Sequence, residues 1–370
     1  MKKLLFFINT LDGGGAEKVL VNLVNTIDAA QYAVDLVTVT GGVHADKLSE
    51  KIHFRRIVHS KNQRLAKLLE KIVYHIPFTL FARLFLRGQY DAEIAYLEGF
   101  PTRVIAAKNS AAIKIAFVHC DVSVQPVLQP FYKTERACLA EYRQFDKVCF
   151  VSEVARNGFE KTFGTLEHAQ IIHNIVCTSE ILQKSKEQSP YHYETDGLKI
   201  LAVGRLSAEK GYDRLVRAAA HLENKYAFEL WIAGEGGERT ALENLIQKLG
   251  AQSVKLLGFQ ENPYSLMRQA DLFVCPSYYE GYSTVVTEAV VLGVPVLTTD
   301  CAGMREILDN GHSGCIVENS DEALEHGLEI LLQNRAQYQN LKSVAQQKSQ
   351  AFSTAAIMQE YIDLFKELGL

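Results

Sequence analysis

The chain reads as an α/β protein built from two doubly wound, Rossmann-like domains, and three observations predict it. Short apolar runs alternate with helical patterns from end to end, which is the signature of parallel sheets with helices on both faces. At 370 residues the sequence is long for one domain and natural for two. The alternation also pauses once, in the polar stretch 180–197, before restarting at Leu198.

In order, the first half predicts strands at 4–8, 34–39, 53–58, 93–96, 114–118, 147–151 and 170–173. The second half predicts strands at 198–203, 229–233, 254–257, 272–275, 294–298 and 315–317. A glycine turn at 13–15 opens a helix over 16–24, and an apolar helix follows Thr284. The domains are expected at 1–180 and 181–352, with a last helix from 353 to 370. Ligands in such sheets sit beyond the carboxyl ends of the strands, so two such domains facing a central cleft would place their sites there.

Composition narrows the function. Hydrophobic residues make up 48% of the chain, ample for buried cores. A net charge of −4 predicts no nucleic-acid partner. Lys2 and Lys3 precede a strand too short for the apolar part of a secretory signal, and no apolar run is long enough to span a membrane. The seven cysteines are scattered and include no Cys-x-x-Cys pair, so reduced thiols in the cytoplasm are expected, and no zinc site.

Four motifs stand out, and three of them carry chemistry. Glu280 and Glu288 bracket the turn Gly281-Tyr282-Ser283-Thr284, between the run 272–275 and an apolar helix. A helix N-terminus at a strand end suits a phosphate, and Glu288, about one turn into the helix, can accept hydrogen bonds from hydroxyls. Phosphate plus hydroxyls is the chemistry of a nucleotide sugar. The second motif is the run 204–211, Gly-Arg-Leu-Ser-Ala-Glu-Lys-Gly, whose Arg205 and Lys210 can hold a diphosphate by charge-assisted hydrogen bonds. Two solvated surface cations are the competing reading. Glycines of the 13–15 turn, Gly14 and Gly15 among them, let backbone approach a ligand. The fourth and weakest motif is His173-Asn174.

In this order and spread over most of the chain, the motifs resemble those of glycosyltransferase family 4, retaining enzymes of the GT-B fold. The resemblance implies a last helix crossing back onto the first domain. It implies Arg205, Lys210, Gly281, Tyr282, Ser283, Thr284 and Glu288 as donor-binding residues, with Glu288 on the ribose, and Gly14 and Gly15 against the donor phosphates or the acceptor. Gly234, in a Gly-Glu-Gly turn, and Phe259, where the base packs, complete the donor set. Glu280 lies close to the donor sugar in the family.

His119 ends the run 114–118 at a carboxyl strand end, where a cleft residue belongs, and it matches a family histidine beside donor sugar and acceptor. Asp121 and Glu153 are further candidates for the acceptor. The basic segment 61–87 repeats Leu65, Leu68, Leu69, Ile72, Val73 and Ile76 at helical spacing, with Arg64, Lys67 and Lys71 beside them. It reads either as a core helix or as a surface for anionic membrane.

The expected activity is transfer of a hexose or N-acetylhexosamine from a nucleotide diphosphate sugar, UDP on family frequency, to a saccharide or lipid-linked acceptor, with retention. Such a reaction serves capsule, lipopolysaccharide or other cell-surface glycan assembly, and a cytoplasmic protein peripheral to the membrane suits it. Neither cofactor nor metal is expected, since no Asp-x-Asp motif is present. A nucleotide-sugar epimerase and a degenerate partner subunit are the alternatives. A dehydrogenase lacks its glycine pattern and ribose-binding acid, a phosphorylase of the pyridoxal type would carry that cofactor, and the turn between Glu280 and Glu288 fits a transferase better than a glycosidase.

Overall fold

The computed structural model describes residues 1–12, 14–60, 62–351 and 353–370, so Gly13 of the glycine turn and position 61 of the basic segment lie outside the described residues. The chain divides into two compact units, Met1–Ile175 with Ala355–Leu370, and Val176–Thr354.

The first unit holds a parallel sheet of seven strands: β1 (Lys2–Ile8), β2 (Tyr32–Thr38), β3 (His53–Arg56), β4 (Ala92–Ala95), β5 (Ile113–Val118), β6 (Lys147–Phe150) and β7 (Ala169–Ile171). Their order in the sheet is β3-β2-β1-β4-β5-β6-β7. The second unit holds six parallel strands: β8 (Leu198–Val203), β9 (Phe228–Ala233), β10 (Val254–Gly258), β11 (Leu272–Cys275), β12 (Val296–Thr299) and β13 (Cys315–Val317). Their order is β10-β9-β8-β11-β12-β13. Each predicted strand is present, with ends within two residues of the predicted ones. The signal is strong because helices cover both faces, so successive residues such as Leu4, Leu5, Phe6, Phe7 and Ile8 are all buried rather than alternating.

In each sheet the order reverses once, between β1 and β4 and between β8 and β11. Such a reversal opens a crevice beyond the carboxyl ends of the two strands. The glycine turn follows β1, while the 204–211 run follows β8 and the 276–283 segment follows β11.

The crossing between units comes at 175–176, earlier than the polar stretch suggested. The reason is packing. The helix Thr178–Lys184 lies against the helices Tyr264–Gln269 and Thr284–Val291 of the second unit. Within 180–197, Tyr193 stacks on Trp231 with ring centroids 3.6 Å apart, and the backbone of Glu194 donates to Glu229 at 2.8 Å. What reads as a linker is an ordered strap.

The last helix, Thr354–Glu367, belongs from Ala355 to the first unit. Tyr361 is fully buried there, stacks on Phe117 and donates to the His173 carbonyl at 3.2 Å. Glu360 accepts from the His173 backbone N–H at 2.9 Å and lies 3.0 Å from its ring Nδ1. The His-Asn motif is therefore tied to the end of the chain.

The basic helix forms over Gln63–Tyr74, and its apolar set splits in two. Val73 is buried, and Leu69 and Ile76 pack on the core of the first unit. Leu65, Leu68 and Ile72 stay exposed, Leu68 at 56%. No helix among the described residues is long and apolar enough to cross a membrane.

Candidate active site

In the second unit, backbone geometry brings two motifs together before any side chain is considered. After β8 the chain turns at Gly204, then makes a short 3-10 turn over Ala208–Lys210 and enters the helix Tyr212–Leu222 through Gly211. Gly211 is left-handed at φ 63°, and a Cβ there would lie 2.1 Å from the Pro276 carbonyl. Only glycine lets the turn press against the loop after β11. Gly234 serves the neighbouring loop likewise, since its Cβ would lie 1.8 Å from the Gly204 carbonyl.

This closeness sets Lys210 against Glu280. The ammonium donates to Glu280 Oε1 at 2.8 Å, and Ser277 Oγ donates to the same oxygen at 2.7 Å. Glu280's side chain is 8% exposed and that of Lys210 21%. Burial pulls the Lys210 pKa down, but Glu280, Cys275 and Glu209 outweigh it, so the ammonium is held above the usual lysine range. Burial pushes the Cys275 thiol up to about 11, with Glu280 adding to it, so the thiol stays protonated beside the pair. An ammonium has three donors and this one uses one on Glu280, which leaves capacity for an anion.

The helix Thr284–Val291 begins without a side-chain cap. Ser283 occupies the N-cap position, but its hydroxyl does not cap; its Oγ is buried and makes no hydrogen bond. Gly281 and Tyr282 form the turn before it and back onto Gly303. Glu288 is buried, and the Tyr264 hydroxyl donates to its Oε1 at 3.5 Å.

Not all predicted donor residues join this network. Arg205 is 65% exposed and meets Glu209 loosely, at 3.7 Å. Phe259, after β10, is 67% exposed. Neither touches the Lys210–Glu280 pair among the contacts of the described residues.

In the first unit, Gly14 is the N-cap of the helix Gly15–Thr26 with extended backbone, and Gly15 is the first helical residue. His119 follows β5. Its ring packs on Tyr96 at 4.9 Å between centroids, and both ring nitrogens are enclosed without a hydrogen bond of normal geometry. Burial lowers its pKa, against a weaker upward pull from Glu98 and the Tyr96 backbone. A neutral imidazole results. The Asp121 carboxylate is taken up locally, accepting from the backbone and hydroxyl of Ser123 at 2.9 and 2.6 Å. Glu153 is the exposed first residue of the helix Glu153–Phe163.

Sequence reasoning missed three groups. Glu98, after β4, accepts from the His119 backbone N–H at 2.9 Å and from Cys120 Sγ at 3.1 Å. The rule that selected His119, a polar residue just past a carboxyl strand end, would have selected Glu98 too. Ser277 gave no signal beyond lying next to Pro276. Arg214 gave none, since a cation two residues into a helix reads as surface.

Comparison with known proteins identifies the class of the chain. Residues 13–180 match the profile described as Glycosyltransferase Family 4, and residues 183–348 that of Glycosyl transferases group 1. A 4-alpha-N-acetylgalactosaminyltransferase of Campylobacter jejuni, named for N-acetylgalactosamine-N,N'-diacetylbacillosaminyl-diphospho-undecaprenol, is 26% identical over 375 residues, covering 97% of this chain and 98% of that protein. A second enzyme of that organism, an alpha-1,4-N-acetyl-D-galactosaminyltransferase named for a diNAcBac-PP-undecaprenol glycan, is 25% identical over 374 residues, covering 100% and 99%. Among solved structures, Anabaena Alr3699/HepE in complex with UDP-glucose superposes with a TM-score of 0.77 at 21% identity, covering 99% of this chain and 100% of that one. The two parallel sheets and the likeness to the Anabaena structure give the GT-B fold, and the two profiles make the chain a glycosyltransferase. Within that class, the chain belongs to the family 4 type.

Proposed function

We propose that this glycosyltransferase moves a hexose or N-acetylhexosamine from a nucleoside diphosphate sugar, with UDP as the carrier, to a hydroxyl of a lipid-linked saccharide, with retention at the anomeric carbon, in assembly of a cell-surface glycan. One observation carries the reading. The Lys210 ammonium sits against Glu280 with two donors left over, and the loop that carries Glu280 leads to an uncapped helix whose N-cap residue, Ser283, has a buried hydroxyl without a hydrogen bond. That set suits a diphosphate with a sugar attached. The lipid-linked acceptor is argued from the two full-length Campylobacter relatives, whose names give undecaprenol diphosphate glycans. The UDP donor is argued from the Anabaena complex.

In this mechanism the donor's C1–O bond breaks with negative charge growing on the leaving diphosphate and positive charge on the sugar ring. Lys210 and Arg205 stabilise the first. Glu280 stabilises the second or holds sugar hydroxyls, and Glu288 holds the ribose. The acceptor oxygen bonds C1 from the face the diphosphate leaves, and its proton passes to the leaving phosphate. His119, neutral at the working pH, donates or accepts one hydrogen bond at the sugar or acceptor. No metal or cofactor is needed for these steps.

The test is turnover of a panel of UDP, GDP and ADP sugars with an undecaprenyl-diphosphate saccharide, in EDTA, with product stereochemistry read by proton NMR. An axial donor should give an axial product with UDP sugars alone. An inverted product, or activity that vanishes in EDTA and returns with magnesium, overturns the corresponding part.

A peripheral site at the cytoplasmic membrane face completes the proposal. It rests on Leu65, Leu68 and Ile72, exposed beside Arg64, Lys67 and Lys71 on one helix. Each cation near an anionic surface adds about 1 kcal/mol. Lys67→Glu with Lys71→Glu should release the protein from phosphatidylglycerol vesicles in a sedimentation assay. Equal binding of both forms would remove the charged part of the surface.

A further inference from the structure

Arg214 is the largest buried charged side chain of the second unit, 1% exposed, and among the described residues no carboxylate lies within ion-pair distance of it. A guanidinium withdrawn from water without a counter-charge is costly unless its donors are satisfied. Here they are, by one short stretch of chain. Nε donates to the Pro276 carbonyl at 2.7 Å and Nη2 to the Ser277 carbonyl at 2.6 Å. Nη1 donates to Asn319 Oδ1 at 2.8 Å, and the guanidinium stacks over the Tyr278 ring at 3.9 Å. Asn319 in turn donates to the Tyr278 carbonyl at 2.9 Å. Three successive carbonyls after β11 are thus pinned from one side. From the other, the Tyr278 backbone N–H donates to the Glu209 carbonyl at 2.8 Å.

Arg214 stands on the helix that begins at Tyr212, straight after the Lys210–Gly211 turn. Its fork therefore fastens the loop after β11 to the run after β8, the two segments that supply Glu280 and Lys210. We infer that Arg214 is a positioning residue for donor binding and transfer: it fixes the 276–278 loop so that Ser277 and Glu280 meet Lys210. A flat, delocalised fork that both stacks and donates in several directions suits this task, and a lysine ammonium does not.

The inference rests on the donor-site reading above, and the experiment separates the two. Arg214→Lys, Asn319→Ala and Lys210→Ala are compared with the parent protein for UDP affinity by calorimetry and for kcat and donor KM, all below the onset of unfolding. Arg214→Lys should weaken UDP binding about tenfold and lower kcat roughly ten- to hundredfold, the effect of a misplacement of about 1 Å. Asn319→Ala, at an exposed position, should move both in the same direction by a few-fold. A purely structural arginine would lower the melting temperature and leave KM and kcat of the folded protein unchanged, and that result overturns the inference. Should Arg214→Lys not fold, Asn319→Ala decides by the same readout. If Lys210→Ala binds UDP normally, the donor-site reading itself fails, whatever Arg214 does.

Discussion

The two units solve the same geometric problem in opposite ways. Beyond β8 and β11, side chains and carbonyls are cross-linked: Lys210 to Glu280, Ser277 to Glu280, Arg214 to two carbonyls and Asn319. Beyond β4 and β5, the first unit is held by Glu98, which accepts from the His119 backbone N–H and from Cys120 Sγ, and by aromatic packing on Tyr96. His119 is anchored through its amide to Glu98, while its ring nitrogens make no bond of normal geometry. Under the proposed function, the difference bears on where each unit would keep its specificity. A diphosphate is common to many donors, and a fixed set of charges can be built for it once. A histidine whose nitrogens are unspent retains capacity for a substrate group.

The sharpest way to break this contrast is Lys210→Ala. It removes the cation and leaves the Glu280 carboxylate partly buried with only Ser277 and Cys275 as donors. Turnover should fall by about a hundredfold or more, and UDP affinity with it. Parent-like kinetics would mean the cross-linked region is scaffolding.

Next in size is Glu98→Gln, which keeps one acceptor oxygen and loses the other. Turnover should drop roughly tenfold while calorimetry shows UDP affinity unchanged, since Glu98 belongs to the unit without the Lys210–Glu280 pair. A fall in UDP affinity instead would erase the division of labour.

The smallest effect is in pH. Burial, with Lys47 and Lys18 adding to it and Asp12 opposing, lowers His44 in the first unit from 6.5 to about 4. His119 is shifted in the same direction. The unfolded chain then takes up protons that the folded unit refuses, so the contribution of His44 to stability falls as pH drops from about 6.5 towards 4. His44→Gln should flatten part of that slope in thermal melts, and a variant with the parent slope would clear His44.

Strand positions were legible because parallel strands buried on both faces are continuous apolar runs, as 4–8 and 272–275 illustrate. The Lys210–Glu280 pairing was legible as two motifs but not as a contact, because it depends on a loop approach that only Gly211 permits. Arg214 was invisible, since two of its partners are carbonyls, which every residue has, and Asn319 lies 105 residues away in the chain. The 180–197 strap misled for a related reason: its polar composition signals a linker, while its order comes from Tyr193 on Trp231 and from backbone bonds. Ser283 stands at the N-cap of its helix, and that its hydroxyl is buried without a hydrogen bond follows from no sequence pattern.

The last helix has a consequence for how the molecule is made. Because Ala355–Leu370 completes the first unit, the second unit is an insertion within it, and the amino-terminal sheet is the last part to be finished. At ordinary synthesis rates the ribosome spends on the order of ten seconds on the inserted unit before the closing helix is translated. During that interval Phe117 and the His173 backbone wait for Tyr361 and Glu360. A chain truncated after residue 354 and released from the ribosome should therefore hold a protease-resistant second unit beside a protease-sensitive first one, the reverse of their order in the gene.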